Sequence, residues 1–407
     1  MTGAMTRFAT PDIKITDLHH AISSAISRIG PELVELSAAL HSDPELSMDE
    51  YRAAGRIAQL LEDHGFEVER GIAGLPTAFQ GSIGDVRPVI SFLCEYDALP
   101  GVGHGCGHNL IAAGGVGAAI ALKEALGAEL AGTIRCIGTP GEESGGGKII
   151  ELRQGVFDDV DAALMFHPGV QTLPWRHATA CVDVDIVFHG IPAHAAGSPS
   201  SGRSALAAVI QLFNGIDALR QFIPETARIH GIITDGGQAA NIVPERAAAK
   251  FTVRSLRSTE VVELLDRVKA IIEAAALATG TTYEISTDEI YAERKNNHVI
   301  ATRWAAHFRR LGEEVDEPVL RGGTGSSDIG NISLVLPAIH PFLQIAEPGT
   351  SGHSHAMAAA AGDPPAQQRM LHMAEALAAA GGDLLTEPGL LAAAREEFAR
   401  SEPDFPA

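Results

Sequence analysis

The sequence predicts an α/β protein of two domains, a largely parallel sheet with a ferredoxin-like α+β domain inserted into it. Three observations lead there. At 407 residues the chain is long for a single hydrophobic core. Between residues 66 and 166 short apolar runs alternate with helical stretches, the pattern of a parallel sheet covered on both faces. After His177 the rhythm changes to β-α-β-β-α-β, the ferredoxin-like order. The expected boundaries are 1–177 with 292–407 for the first domain and 178–291 for the insert.

Taken in order, apolar residues at helical spacing predict a helix over 15–40, broken by His41-Ser42-Asp43-Pro44-Glu45, and a second over 48–64. Strands are expected at 66–69, 78–82 and 88–94, a small-residue helix at 109–126, then strand 132–138, helix 146–154 and strand 161–166. Residues 179–189 alternate polar and apolar as a half-buried strand does. Helix 203–220, strands 227–234 and 247–254, helix 258–279 and strand 281–290 complete the insert. The first domain resumes with a helix to 311, the loop Gly322-Gly323-Thr324-Gly325-Ser326-Ser327-Asp328, a strand at 339–345 and a helix over 365–380. The last twenty or so residues read as peripheral, and no internal repeat is visible.

The formal net charge of −21 argues against nucleic acid or an anionic membrane as a partner. Cys94, Cys106, Cys136 and Cys181 show no disulfide-framework spacing, which fits a cytoplasmic protein. Residues 1–16 contain no apolar core of a signal peptide, and the longest apolar stretch, 110–122, is too short to span a bilayer.

The chemistry gathers at strand ends. Glu95-Tyr96-Asp97-Ala98-Leu99-Pro100 follows an apolar run, and Gly103-His104-Gly105-Cys106-Gly107-His108-Asn109 presents a thiol and an imidazole two residues apart. Carboxylate, thiolate and imidazole at one strand-to-helix junction suit a divalent cation. Thr139-Pro140-Gly141-Glu142-Glu143 adds two carboxylates, of which one can bind metal while its neighbour acts as a general base. Phe166-His167-Pro168 and Gly349-Thr350-Ser351-Gly352-His353-Ser354-His355 add imidazoles in loops. Gly145-Gly146-Gly147-Lys148 is not a phosphate-binding loop, because Ile149 stands where Ser or Thr is needed. Arg254, at a strand end, suits a substrate carboxylate by its planar fork, a plain salt bridge being the alternative.

These motifs, with His189-Gly190-Ile191-Pro192-Ala193-His194-Ala195 and Asn241-Ile242-Val243-Pro244, resemble in order the di-metal amidohydrolases related to aminoacylase and glutamate carboxypeptidase. The branch of aminobenzoyl-glutamate hydrolase and β-alanyl-lysine dipeptidase is the most similar, over residues 30–380. The resemblance implies a zinc-exopeptidase-like catalytic domain with an inserted lid and dimerisation domain, acting on a small amide or dipeptide. It implies two Zn²⁺ or Mn²⁺ ions held by Cys106, His108, Glu143, His167 and His353, with Glu142 as general base and Asp97 orienting the ligands. His194 would stabilise the oxyanion, Asn241 would contact substrate, and the protein would be a homodimer or higher homo-oligomer through the insert. His104 and His355 are read as neighbours of the site or surface polar residues. Asn109, where the family carries an acid, and Glu95-Tyr96 depart from the pattern, so an aromatic amine or other unusual C–N bond stays open as the substrate. A Cys106 thiol hydrolase and a non-catalytic metal-binding protein are the other readings.

Overall fold

The computed structural model describes residues 14, 16–318 and 325–403. Helices α1 (Asp17–Ser42) and α2 (Tyr51–Asp63) lead into β1 (Glu67–Arg70), β2 (Phe79–Ile83) and β3 (Val89–Cys94), followed by α3 (His108–Leu126) and β4 (Thr133–Gly138). Next come α4 (Gly147–Arg153), β5 (Ala162–Leu164) and β6 (His167–Gly169). The chain continues as β7 (Ala180–His189), α5 (Ala205–Arg220), β8 (Arg228–Asp235), β9 (Arg246–Ser255), α6 (Ser258–Thr279) and β10 (Thr282–Thr287). It ends with α7 (His298–Arg310), α8 (Ile329–Ser333), β11 (Ala338–Ile339), β12 (Phe342–Gln344), α9 (His355–Gly362), α10 (Pro364–Thr386) and α11 (Pro388–Arg400). Contacts divide it into two compact units, one of them Ala178–Glu293 with Gly325 and Ser326, the other the chain on either side.

In the larger unit six strands run in the order β1-β2-β4-β3-β5-β11. The pairs β3–β4, β3–β5 and β5–β11 are parallel, while β1–β2 and β2–β4 are antiparallel, so the sheet is mixed. Every residue of β3 is buried, as an apolar run flanked by two parallel neighbours requires. Helix α3 packs against α1, α10 and β3. Its glycines and alanines allow this closeness: a Cβ on Gly117 would sit 2.4 Å from Leu33 Cδ1 of α1. Any larger side chain there would overpack the core, at about 1–3 kcal/mol. By length and composition alone this helix, extended to Glu129, is apolar enough to cross a bilayer, contrary to the expectation from 110–122. Most of it is buried within the unit, as in a core helix.

Two further expectations need correction. The strand expected at 339–345 is two strands, β11 in the main sheet and β12 paired in parallel with β6 in a separate ribbon. Pro341 and Pro168 lie at this change of partner, where a residue without an N–H is tolerated. The C-terminal helix α11 is not peripheral. Leu391 and Ala394 are buried, Asn297 Nδ2 donates to the Ala394 carbonyl (2.8 Å), and Glu397 accepts the His298 and Val299 N–H groups that open α7.

The second unit has the sheet order β10-β7-β9-β8, antiparallel throughout, which is the ferredoxin-like arrangement. Along β7 Ala180, Val182, Val184, Ile186 and Phe188 are buried and the intervening residues are less so, because α5 and α6 cover one face. Ser204 caps α5 by accepting the Ala207 N–H. Of the loop expected at 322–328, residues 322–324 lie outside the described residues, as do most of 1–16.

Candidate metal centre

Glu95 and Asp97 follow β3, Glu142 and Glu143 follow β4, and His167 opens β6 just beyond β5. Since β4, β3 and β5 are parallel neighbours, these loops leave the same edge of the sheet, where sites form in α/β proteins. Gly107 has φ +74°, and a Cβ there would stand 2.8 Å from Pro168 Cγ. Glycine therefore lets the Cys106–His108 turn close on the strand that carries His167.

The ligand atoms of Cys106, His108 and His167 lie within 4.8 Å of one another, as do those of Cys106, Glu143 and His353, and of His108, Glu142 and Glu143. The structure thus gathers all five expected ligands and Glu142, with Cys106 common to two groups. His353 has a left-handed backbone (φ 55°) that a residue with a side chain rarely adopts, and its side chain is 61% exposed. Its Nε2 lies 3.6 Å from Glu143 Oε2.

Asp97 ties the cluster together. Its Oδ1 is 2.9 Å from His108 Nδ1, and its Oδ2 accepts from the Ser47 hydroxyl (2.7 Å) and the Glu143 N–H (2.9 Å). Burial alone would raise the Asp97 carboxyl, but His108 and these donors hold it well below the usual range. The proton on His108 Nδ1 turns Nε2 toward the site, and the Nδ1 of His167, bonded to the Pro168 carbonyl, frees that Nε2 likewise. His108 Nε2 is buried without a hydrogen-bond partner, 3.6 Å from Glu95 Oε2, 3.8 Å from Glu142 Oε2 and 3.9 Å from Glu143 Oε1. Glu95 Oε2 and Glu143 Oε1 are also unpartnered. Buried polar atoms left unpaired are costly, and a divalent cation among them satisfies lone pairs from N, O and S donors together. The donor set fits the expected metals.

Beneath it lies a charge cluster that the motifs do not announce. Lys148 is fully buried, its Nζ 2.5 Å from Glu95 Oε1 and 2.8 Å from Asp328 Oδ1. Burial, then Glu95 and Glu143, push the Glu142 carboxyl well up. Glu50, pushed up to about 7 by burial and then by Asp97, accepts the Gly141 N–H (2.8 Å) and steadies the turn that carries Glu142. Arg294 and His340 are buried near His167 as well. Of these, Lys148 was visible only as part of a glycine-rich run and Asp328 only as the end of a loop. Arg294 and His340 had no signal. His104 is a buried residue whose Nε2 bonds the Leu40 carbonyl, not a surface one, and Asn109 is bonded to Ser37 and the Ala361 carbonyl. His355 is exposed at the start of α9 and joins none of the ligand groups.

The remaining candidates are in the second unit. The His194 and Asn241 segments are adjacent: His194 bridges Ile242, and the Ala195 N–H donates to the Asn241 carbonyl. His194 is exposed, and its Nδ1 accepts from the Ala196 and Gly197 N–H groups (3.2 and 3.0 Å). Its proton therefore sits on Nε2, ready to donate. Arg254 makes no salt bridge among the described residues and donates to the hydroxyls of Thr179 and Ser326 (3.0 and 2.6 Å).

Residues 181–280 match the family description "Peptidase dimerisation domain". The chain is 36% identical over 393 residues to the Xaa-Arg dipeptidase of Mus musculus, covering 93% of this chain and 90% of that protein. It is 39% identical over 293 residues to one of the subunits of the p-aminobenzoyl-glutamate hydrolase of Escherichia coli K12, covering 67% and 61%. Its fold is similar to that of an aminobenzoyl-glutamate utilization protein from Klebsiella pneumoniae, with TM-score 0.71, 20% identity and coverage of 89% and 98%. A dinuclear metal-binding peptidase of the M20 family from Bacillus subtilis is also similar, at TM-score 0.63, 20% identity and coverage of 88% and 99%. With a cysteine, histidines and carboxylates converging at one sheet edge and 36% identity to a dipeptidase over 93% of its length, the chain belongs to the M20 family of metal-dependent peptidases and amidohydrolases.

Proposed function

We propose that the protein hydrolyses the amide bond of a small N-acyl amino acid, dipeptide or aminobenzoyl-glutamate-like molecule. Two divalent ions, Zn²⁺ or Mn²⁺, would be held by Cys106, His108, Glu143, His167 and His353. The observation that carries this is the set of buried, unpartnered atoms of His108 and Glu143 facing one another at 3.9 Å. Bound divalent ions supply acidity to a water and a positive contact for a carbonyl oxygen.

The chain's own groups do the rest. Glu142, whose raised affinity for protons suits it to the task, takes the water's proton and returns it to the departing amine. Asp97 fixes the His108 ring and, through the Glu143 N–H, the turn that carries both glutamates. His194, with its proton on Nε2, would donate to the oxyanion, and Asn241 beside it would contact substrate. Arg254 has no carboxylate bound to it among the described residues and would take a substrate's carboxylate. The same reading has the protein act as a cytoplasmic homodimer through residues 178–291.

A Cys106 nucleophile suits the electrostatics less well. Burial pushes its thiol up, and the opposing pull of His108 does not offset this, the reverse of an activated thiolate. The test is a hydrolysis screen over N-acyl amino acids, dipeptides and aminobenzoyl-glutamate, with metal analysis of the same preparation. Activity lost to a chelator and restored by Zn²⁺ or Mn²⁺ is expected; turnover that survives the chelator but not thiol alkylation would overturn the reading.

A further inference from the structure

Near the candidate metal cluster, within the same unit, a guanidinium is buried without a counter-ion among the described residues. Arg294 is 4% exposed. Its only hydrogen bond among the described residues is a long one, from Nη1 to the Arg176 carbonyl at 3.3 Å, and its Nε has no partner among them. No carboxylate stands within ion-pair reach of it among the described residues. Glu142 and Glu95 act on it only from a distance, and Arg176 opposes them. Both guanidiniums lie over the ring of Phe342, each with Cζ 5.7 Å from its centroid. The rings of His340 and His167 stand 5.4 and 5.6 Å from that same centroid. His340 is 1% exposed, and neither of its ring nitrogens has a partner. Whatever its tautomer, an N–H there is left over.

An isolated buried cation costs several kcal/mol unless something compensates it, and a native fold retains such a group where a ligand supplies the missing charge. A planar fork with a spare N–H beside it matches a carboxylate, and His167 places it next to the proposed metal centre. We propose that Arg294, with the His340 imidazole, forms a subsite for a second carboxylate of the substrate, beyond its α-carboxylate, so that the amide hydrolysed belongs to an acidic molecule. This rests on the amide-hydrolase reading above and narrows it. It separates N-acyl acidic amino acids and aminobenzoyl-glutamate-like compounds from dipeptides with a basic residue.

The test uses the metal-loaded full chain and two readouts. Hydrolysis of N-acyl-glutamates is compared with hydrolysis of their dimethyl esters and of N-acyl-arginines. Independently of turnover, the melting temperature is followed with glutarate as a probe. The wild type should prefer the free diacid, and glutarate should raise its melting temperature. Arg294→Met should lose about 10²-fold in kcat/KM on the diacid, mostly through KM, and little on the diester. It should also lose the glutarate shift while keeping its metal content. Its own melting temperature should not fall, because an unpaired buried charge has been replaced by an apolar chain of similar volume. Arg294→Lys, which keeps charge without the fork, should recover only part of the preference. A properly folded Arg294→Met that retains both the diacid preference and the glutarate shift would overturn the subsite. So would a marked fall in melting temperature with equal loss on diacid and diester, the signature of a structural arginine. If no amide is cleaved but the Arg294-dependent glutarate shift remains, the subsite stands and the hydrolase reading falls.

Discussion

At the scale of residues, the adjacent Glu142 and Glu143 side chains stand in different surroundings, which suits them to the different roles proposed for them. Asp97 holds the Glu143 N–H, and Glu143 Oε1 faces His108 Nε2, whereas Glu142 lies against the Glu95 and Asp328 carboxylates. Glu142→Gln keeps the shape and loses the base, so metal content should stay near normal while kcat falls about 10²-fold or more. Glu143→Gln should lose metal together with activity, and the reverse pattern, read by metal analysis and kinetics, would exchange the two roles. Lys148 makes a different kind of prediction. Burial pushes the Asp328 carboxyl up to about 6, and Lys148 is the group that resists this. Lys148→Met leaves Glu95 and Asp328 buried without their cation, at an expected cost of about 3–5 kcal/mol. Urea denaturation measures it, and a loss below about 1 kcal/mol would mean that the carboxylates find another partner. The clustering of Cys106, His108, Glu143, His167 and His353 was legible because metals need particular residue types at fixed offsets. Lys148 and Arg294 were not, because a single buried cation leaves no pattern until the fold shows what surrounds it.

At the scale of elements, Asp383 of α10 joins α1 and α7. Its Oδ1 meets His19 Nε2 at 2.9 Å, and its Oδ2 meets both His307 Nε2 and Arg303 Nη1 at 2.7 Å. Burial would raise this carboxyl, but His19, His307 and Arg303 together hold it well below 3.8. A carboxyl depressed in the folded state adds stability that is complete above its unfolded pKa and fades as pH falls toward the folded value. Asp383→Asn should therefore cost about 2–3 kcal/mol near pH 7. The gap from wild type should narrow below about pH 4. A gap that stays constant down to about pH 2 would show that the effect does not come from the charge. Helix α1 was readable from Ile22, Ile26, Ile29 and Leu33 recurring on one face. The break between β11 and β12 was not, since both halves read as one apolar run and only Pro341 marks the change of partner. The docking of helix α11 was not legible either, because the carboxylate of Glu397 serves the first turn of α7, a partner that only the fold brings near.

At the scale of the molecule, the order of elements was the most legible feature, since alternating strands and helices and the change of rhythm after His177 leave few topologies. His194 is exposed, its Nδ1 is engaged by two backbone N–H groups, and its Nε2 proton is free for a ligand. It is remote in sequence from every proposed metal ligand, so His194→Ala should keep its metals and lose about 10²–10³-fold in kcat, the usual effect of removing one oxyanion donor. If the dimerisation domain brings His194 to the partner's metal centre, two inactive variants should repair each other. In a heterodimer of Glu142→Gln and His194→Ala chains, one site lacks both groups, while the other combines an intact Glu142 with an intact His194 from across the interface. Equal mixing with free exchange makes half of the dimers heterodimers, so about a quarter of wild-type activity should return. A mixture that stays inactive after exchange of chains is verified would confine His194 to its own chain or remove it from the mechanism.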